Sequence, residues 1–341
     1  ILLDRDLHDE ETLADFASRI RAHKERMGKK MVVLGHHYQR KEIVYLSDLI
    51  GDSFMLSKMA AEQHEAEYII FCGVHFMAES AKVLAQSHQR VFHPNLNAGC
   101  PMADMAQINT VTEAWAELNH LLGDVANTVM PITYMNSDAR IKAFTGMNGG
   151  MVCTSSNARK SFEWAFQQRE KILFFPDEYL GRNTAKQMGI PDDEVIVWKW
   201  RGREALGGNT PEQIKKAKVI VWKGFCHVHK HFAESMIAQV RAKYPEVKVV
   251  VHPECPLETT AKADAIGSTE FICRFVRDAG PGSVVAVGTE MNLVERLALG
   301  YPDRKVIPVS PSLCHNMIKI TLETLLETLD MKSIGESDTL A

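Results

Sequence analysis

Several signatures are missing from this sequence, and each absence narrows the field. No two of its seven cysteines form a CxxC pair, which excludes a compact zinc ribbon or a ferredoxin-type cluster loop. No GxGxxG or Walker pattern follows any apolar run, which weighs against a Rossmann dehydrogenase or a P-loop enzyme. No stretch of 18 apolar residues occurs, so no segment reads as a membrane span. Basic residues are not in excess: 39 stand against 43 acidic ones, for a net charge of −4. A nucleic-acid protein would normally show a basic face. Low-complexity segments are absent. No apolar signal segment opens the chain, although it begins at Ile1, so a trimmed start and a lost targeting segment stay open.

What is present fits a sizeable folded protein. The 341 residues are 45% hydrophobic, enough for a substantial core and two or three lobes. The cysteines are odd in number and scattered: Cys72, Cys100, Cys153, Cys226, Cys255, Cys273 and Cys314. In a long chain without a secretion signal this argues for reduced thiols and a reducing, cytoplasmic compartment.

The organisation is a repeated unit. An apolar, often β-branched run ends in polar residues and gives way to a helical pattern. Such runs are Met31–Leu34, Tyr68–Phe71, Val129–Thr133, Met151–Cys153, Ile172–Phe175, Val219–Trp222, Val247–Val251 and Val284–Val287. Continuous apolar runs of this length read as strands buried on both faces. Helices are expected between them at Leu13–Glu25, Asp52–Gln63, Glu113–Leu122, Ala158–Gln168, His231–Lys243 and Thr269–Arg277. This alternation predicts an α/β fold with parallel sheets, whose ligands bind outside the carboxyl ends of the strands. His36, Tyr134 and His229 follow apolar runs about a hundred residues apart, as if each closed the first strand of one of three related lobes. A single long doubly wound sheet stays open. The charged stretch Lys199–Lys218, with Gly207-Gly208, reads as an exposed insertion or lobe linker, and the tail after Gly335 as frayed.

The polar residues at the strand ends carry the chemistry. Thr154-Ser155-Ser156-Asn157 and Gly267-Ser268-Thr269 sit at strand-to-helix junctions, where free N–H groups favour anions, although ordinary N-capping explains each one singly. His252-Pro253-Glu254-Cys255 ends an apolar strand. A carboxylate there is costly to bury unless paired, so Glu254 reads as a general base with His252 beside it; the alternative is an exposed loop carboxylate. His227, His229 and His231 share a side only if their segment is extended, and scatter if a helix starts there. Cys72, Cys153 and Cys273 read as inert packing residues. Cys100, Cys226 and Cys314 fall in loops or at strand ends. Cys255 reads as a free thiol near the site.

Taken together the motifs resemble a known family. His36-His37-Tyr38-Gln39, Gly51-Asp52-Ser53, Gly73-Val74-His75-Phe76-Met77-Ala78-Glu79, Cys100-Pro101-Met102-Ala103 and Tyr134-Met135-Asn136-Ser137 come first. Cys153-Thr154-Ser155, Pro176-Asp177 with Leu180-Gly181, and Cys226 with His229 follow. His252-Pro253-Glu254-Cys255, Gly267-Ser268-Thr269, Gly288-Thr289-Glu290 and Cys314 with Asn316-Met317 complete the series. Each is weak alone, but the ordered set from His36 to Met317 is similar to that of quinolinate synthases.

The resemblance implies three αβα domains in pseudo-threefold arrangement around a central cluster and active site. Their expected limits are 1–110, 111–205 and 206–309, with 310–341 packing near the first. It implies a [4Fe–4S] cluster held by Cys100, Cys226 and Cys314, whose open iron acts as a Lewis acid that binds substrate and eases loss of water. The implied reaction, in NAD biosynthesis, condenses iminoaspartate with dihydroxyacetone phosphate to quinolinate, phosphate and water. An iminoaspartate-producing oxidase is the implied upstream partner. By motif, Glu254 moves protons, and His36 and Tyr38 serve the carbonyl and hydroxyl steps of the triose. Tyr134, Asn136 and Ser53 hold carboxylates, and Ser155, His252, Ser268 and Thr269 hold phosphate or a carboxylate. His229 orients substrate, and Phe76 and Met77 line it. The chain departs from the family pattern at His227, where relatives often have proline, at His75, and in the length of Lys199–Lys218. Two other classes compete. A mononuclear metal hydrolase would use His229, His252 and Glu254 and dispense with Cys100 and Cys314. An iron–sulfur redox sensor would need neither Glu254 nor Tyr134.

Overall fold

A computed structural model describes residues 8–202 and 204–332, with side chains to 330. The start at Ile1 and the tail after Gly335 lie outside the described residues. The strands are β1 (Met31–His36), β2 (Leu49–Gly51), β3 (Tyr68–Cys72), β4 (Arg90–Phe92), β5 (Val129–Tyr134), β6 (Met151–Cys153), β7 (Lys171–Phe175), β8 (Val195–Trp198), β9 (Val219–Trp222), β10 (Lys248–Val251), β11 (Ala265–Ile266), β12 (Val284–Gly288) and β13 (Lys305–Pro308). They form three sheets, ordered β2-β1-β3-β4, β6-β5-β7-β9-β8 and β11-β10-β12-β13. Every strand pair in them is parallel. The single doubly wound sheet is therefore ruled out: the described residues fold as α/β with three separate parallel sheets.

The described residues divide into two compact units, one holding those up to Gly99 and from Cys314 onward, the other holding Cys100–Leu313. In the first unit, β1 and β3 supply Val33, Ile70 and Cys72 to a core shared with Ile20 and Ile43. The C-terminal helix Leu322–Lys332 adds Leu322, Leu325, Leu326 and Leu329 to that core. The helix Glu10–Met27 that carries Ile20 starts at Asp9, whose carboxylate accepts the Thr12 N–H at 2.8 Å. β1 is buried along its whole length, as an apolar run without alternation requires.

The second unit contains the other two sheets, and here two expectations are corrected. Val219–Trp222, expected to open the third lobe, pairs with both β7 and β8 and completes the middle sheet. The sequence VIVW occurs in both β8 and β9, and Val195–Trp198 lies residue for residue beside Val219–Trp222. An apolar run shows that a strand is buried but not which sheet buries it. The Lys199–Lys218 stretch is largely exposed, as an insertion would be, but it does not link two lobes. It is the crossover between these neighbouring strands, with helix Pro211–Lys216 inside it. Ile214, Ala217 and Leu206 pack with Trp198 and Trp222, while the lysines face outward. The helix begins with a full capping box between Thr210 and Gln213 and has proline in its first turn.

The strand ends are followed at once by the polar residues singled out from the sequence. That is the geometry parallel sheets impose, since each crossover starts at a carboxyl end.

Candidate active site

Glu254 is not an exposed loop carboxylate. It stands three residues past β10 with 1% of its surface accessible, and both carboxylate oxygens are engaged. Oε1 accepts a hydrogen bond from the Tyr134 hydroxyl at 2.6 Å, and Oε2 lies 2.9 Å from His229 Nδ1. His229 Nε2 in turn meets the Thr289 hydroxyl at 3.1 Å. The His252 ring stacks on His229 with centroids 4.2 Å apart and planes 15° from parallel. Its Nδ1 accepts the backbone N–H of Glu254 at 3.3 Å, which leaves the neutral ring's proton on Nε2. Tyr134 closes β5, His229 follows β9, His252 and Glu254 follow β10, and Thr289 follows β12. Four strand ends from two sheets thus build one buried chain of polar groups.

The charges in this chain are set by burial and by one another. Burial alone would raise the Glu254 carboxyl. The charges of His229 and His252 and the hydrogen bonds from His229 and Tyr134 outweigh it and hold the group down at about 2. His252 goes the other way for a base. Burial and repulsion from His229 push it down to about 3 against the attraction of Glu254, so it is neutral at neutral pH. Neutral His252 still offers a donor, so it can hold an anion by hydrogen bonding but not by charge.

Asp177 follows β7 and is also fully buried. Its Oδ1 accepts the Leu180 N–H at 2.6 Å, capping helix Glu178–Gln187, and its Oδ2 accepts the Cys226 N–H at 3.3 Å. Burial and the neighbouring Glu254 charge push its carboxyl well above the usual range, against those two hydrogen bonds. The strand that delivers Cys226 must run close to this turn, and Gly224 bridges Asp177. A Cβ at Gly224 would fall 2.2 Å from the Pro176 carbonyl oxygen, so no other residue fits.

The cysteines fall into two groups. Cys72, Cys153 and Cys255 are fully buried. Burial pushes the Cys72 thiol up to about 12, and those of Cys153 and Cys255 well above their ordinary value. Helical Cys273 is raised to about 11 for the same reason. Cys100, Cys226 and Cys314 are half-buried and lie outside the strands. Within the second unit, the Cys100 and Cys226 loops are tied together by Met105. Its carbonyl accepts the Trp222 indole N–H at 2.7 Å, and its sulfur accepts the Phe225 N–H at 3.4 Å. The Cys226 thiol, a His229 nitrogen and a Glu254 oxygen lie within 4.8 Å of one another, a set able to hold a metal ion.

The remaining expected residues occupy strand ends as follows. In the first unit, His36 closes β1 opposite Gly51, two residues before half-buried Ser53. The His36 Nδ1 accepts the Tyr38 N–H at 3.1 Å and the two rings meet edge to face. Phe76 and Met77 are buried in helix His75–Leu84 beyond β3. Cys314 opens a turn whose carbonyl accepts the Ile318 N–H. In the second unit, Asn136 and Ser155 are half-buried beyond β5 and β6. Ser268 caps helix Thr269–Asp278, its hydroxyl accepting the Phe271 N–H at 3.4 Å, and Thr269 is buried beside it. A short helix, His227–Lys230, starts at the histidine-rich segment, so its histidines scatter: His229 is buried, His227 and His231 are exposed, and His231 pairs with Ser310. Thr289 and Asp177 were given no role from the sequence. Their only signal was position, each standing directly beyond an apolar run inside a motif already singled out.

Comparison with known proteins agrees with this arrangement. The family model described as "Quinolinate synthetase A protein" matches residues 18–336. The quinolinate synthase of Acidobacterium capsulatum is 52% identical over 333 residues, covering 94% of this chain and 88% of its own. That of Corynebacterium glutamicum is 50% identical over 296 residues, covering 87% and 74%. That of Halalkalibacterium halodurans is 46% identical over 332 residues, covering 97% and 89%. With a family match across nearly its whole length and relatives at this identity, the chain belongs to the quinolinate synthase family, enzymes of NAD biosynthesis.

Proposed function

We propose that this chain joins iminoaspartate to dihydroxyacetone phosphate, closing the pyridine ring of quinolinate with loss of phosphate and water. The observation that carries the proposal is the buried Tyr134–Glu254–His229–Thr289 chain. Ring closure needs a new carbon–carbon and a new carbon–nitrogen bond, and protons must leave carbon and reach departing oxygens. Glu254, ionised and held by two donors, takes and returns those protons. His229 keeps the carboxylate in place and shares its charge. Tyr134 was expected to hold a substrate carboxylate, but its hydroxyl donates to Glu254, so we assign it to tuning that group. Neutral His252, with Ser155, Ser268 and Thr269, supplies donors to phosphate or carboxylate oxygens, and Asn136 serves the carboxylates. His36, Tyr38 and Ser53, with Phe76 and Met77, are assigned to the triose and its hydroxyl and carbonyl steps. Donors fixed in place before the reaction are the main expected source of rate.

Cys100, Cys226 and Cys314 are the proposed ligands of a [4Fe–4S] cluster. They fit the role because they are the half-buried cysteines outside the strands and helices; Cys255 also lies in a turn but is fully buried, and it and the other three are thiols whose ionisation burial opposes. When bound, a cluster with three protein thiolates supplies an iron without a protein ligand and so a Lewis acid. An oxygen-sensitive group of this kind and an unstable imine substrate also suit a reducing, cytoplasmic setting and an oxidase that supplies iminoaspartate. We propose three related αβα lobes, the first completed by the C-terminal helix.

The test is quinolinate formation by protein purified without oxygen, given dihydroxyacetone phosphate and freshly generated iminoaspartate, with iron and sulfide measured on the same sample. Product with roughly four irons per chain, both lost in Cys314→Ala, is the expected result. An intact cluster with no product would overturn the synthase reading and favour a redox sensor. Absence of a cluster would return attention to the Cys226, His229 and Glu254 set as a mononuclear site.

A further inference from the structure

Glu254 must keep its place between Tyr134 and His229, yet it sits in a turn, and turns are the mobile parts of α/β folds. The turn is held from a different sheet. Asn183 lies on helix Glu178–Gln187, which follows β7, and is 4% exposed. Its amide Nδ2 donates to the Pro253 carbonyl and to the Cys255 carbonyl, both at 2.8 Å. Those two carbonyls flank Glu254. Its Oδ1 accepts the Thr260 hydroxyl at 2.8 Å, a proton shared with the Leu257 carbonyl at 2.9 Å, and the three bonds together set the amide's orientation. Both donors are used and the acceptor is paired, so the group is satisfied although buried. Gly181 lets that helix lie close on its own sheet: a Cβ there would fall 2.6 Å from Val221 on β9 and 2.7 Å from Phe174 on β7. The same helix carries Asp177 at its N-cap, six residues earlier, which holds the Cys226 N–H.

We infer that Asn183 is a positioning residue for the reaction, clamping the 253–255 turn through its two carbonyls so that Glu254 meets Tyr134 and His229. The inference rests on the reading of Glu254 as the proton carrier. Asn183 touches no reacting atom. It acts by removing the freedom of the turn, and one helix thereby fixes both the Cys226 loop and the Glu254 turn.

The test uses the cluster-loaded enzyme and the variants Asn183→Ala and Thr260→Val. In Asn183→Ala, kcat should fall by about tenfold to a hundredfold, the cost of misplacing a reacting group by an ångström or so. KM for both substrates and iron per chain should stay near wild type, and amide hydrogen exchange should rise in residues 252–260 without rising in β5 or β7. Thr260→Val, which keeps the shape and frees the amide to turn, should lower kcat less, by about two- to fivefold. If Asn183→Ala does not fold, Thr260→Val carries the test alone, and a wild-type kcat in it overturns the inference. So does a wild-type kcat in Asn183→Ala, or a loss that merely follows iron content. Wild-type enzyme that makes product while Asn183→Ala matches it sinks the inference and leaves the function standing. Wild-type enzyme with its cluster but no product overturns both.

Discussion

The turns after β7 and β10 each bury a carboxylate, and the two are driven in opposite directions. Glu254 has two side-chain donors and two neighbouring imidazoles, which hold it ionised at a value near 2 in spite of burial. Asp177 has only two backbone N–H groups, and the Glu254 charge itself adds to the cost of ionising it. Burial is the same in both, so the partners decide. A neighbouring imidazolium adds a full opposite charge to the hydrogen bonds around Glu254, whereas the charge nearest Asp177 has its own sign. The residue that can move protons thereby has its ionised form favoured, and the neighbouring carboxyl, shifted the other way, serves as a structural clasp for a helix and for Cys226.

Isosteric amides are the strongest way to break this comparison. Glu254→Gln keeps shape and removes the base, so kcat should drop by about a hundredfold to ten thousandfold with iron content unchanged. Asp177→Asn keeps one acceptor for the Leu180 N–H but turns an amide NH2 toward the Cys226 N–H, so kcat and iron should fall by no more than about tenfold, the worth of one lost hydrogen bond. Equal losses in the two would erase the distinction.

The acid side of stability gives the next largest effect. Native His252 stays neutral down to about 3, while the unfolded chain takes up that proton near pH 6.5. Stability is therefore lost as the pH falls through 6.5. Between pH 7.5 and 5 the loss from this ring should reach on the order of 2 kcal/mol. Glu254 contributes stability that is present above the ordinary carboxylate range and lost below it, so it adds to the same acid slope only further down, toward its native value near 2. Denaturant melts at the two pH values, repeated on His252→Gln, should show the slope flatten in the variant.

Tyr134→Phe sharpens the comparison with the smallest change. Glu254 loses one of two side-chain donors, so its carboxyl should rise, the acid limb of the rate profile should move to higher pH, and kcat should fall by about tenfold. An unmoved acid limb would mean that Tyr134 serves substrate instead.

Much of this was legible in the sequence. β1, β5, β7, β10 and β12 announce themselves as apolar runs, and parallel pairing puts Tyr134, His229, His252 and Glu254 at strand ends before any coordinates are known. Strands such as Leu49–Gly51 and Ala265–Ile266 are too short to show a pattern. β9 misled because an apolar run does not name its neighbours. The charged 199–218 segment is as exposed as its lysines advertise, but they do not show that it joins two strands of one sheet, with Ile214 and Ala217 turned inward beyond the Thr210 capping box. At the site, residue types were readable but partnerships were not: Tyr134 and Glu254 are 120 positions apart, and nothing local links them. The charge state of Asp177 depends on its distance from Glu254, which only the fold fixes.

The central claim is that their partners drive the two buried carboxyls in opposite directions, and infrared spectroscopy of the wild-type enzyme through an acid titration tests it most directly. The carboxylic-acid carbonyl stretch assigned to Asp177 by its loss in Asp177→Asn should grow in at a higher pH than the one assigned to Glu254 by Glu254→Gln. The reverse order would contradict the account.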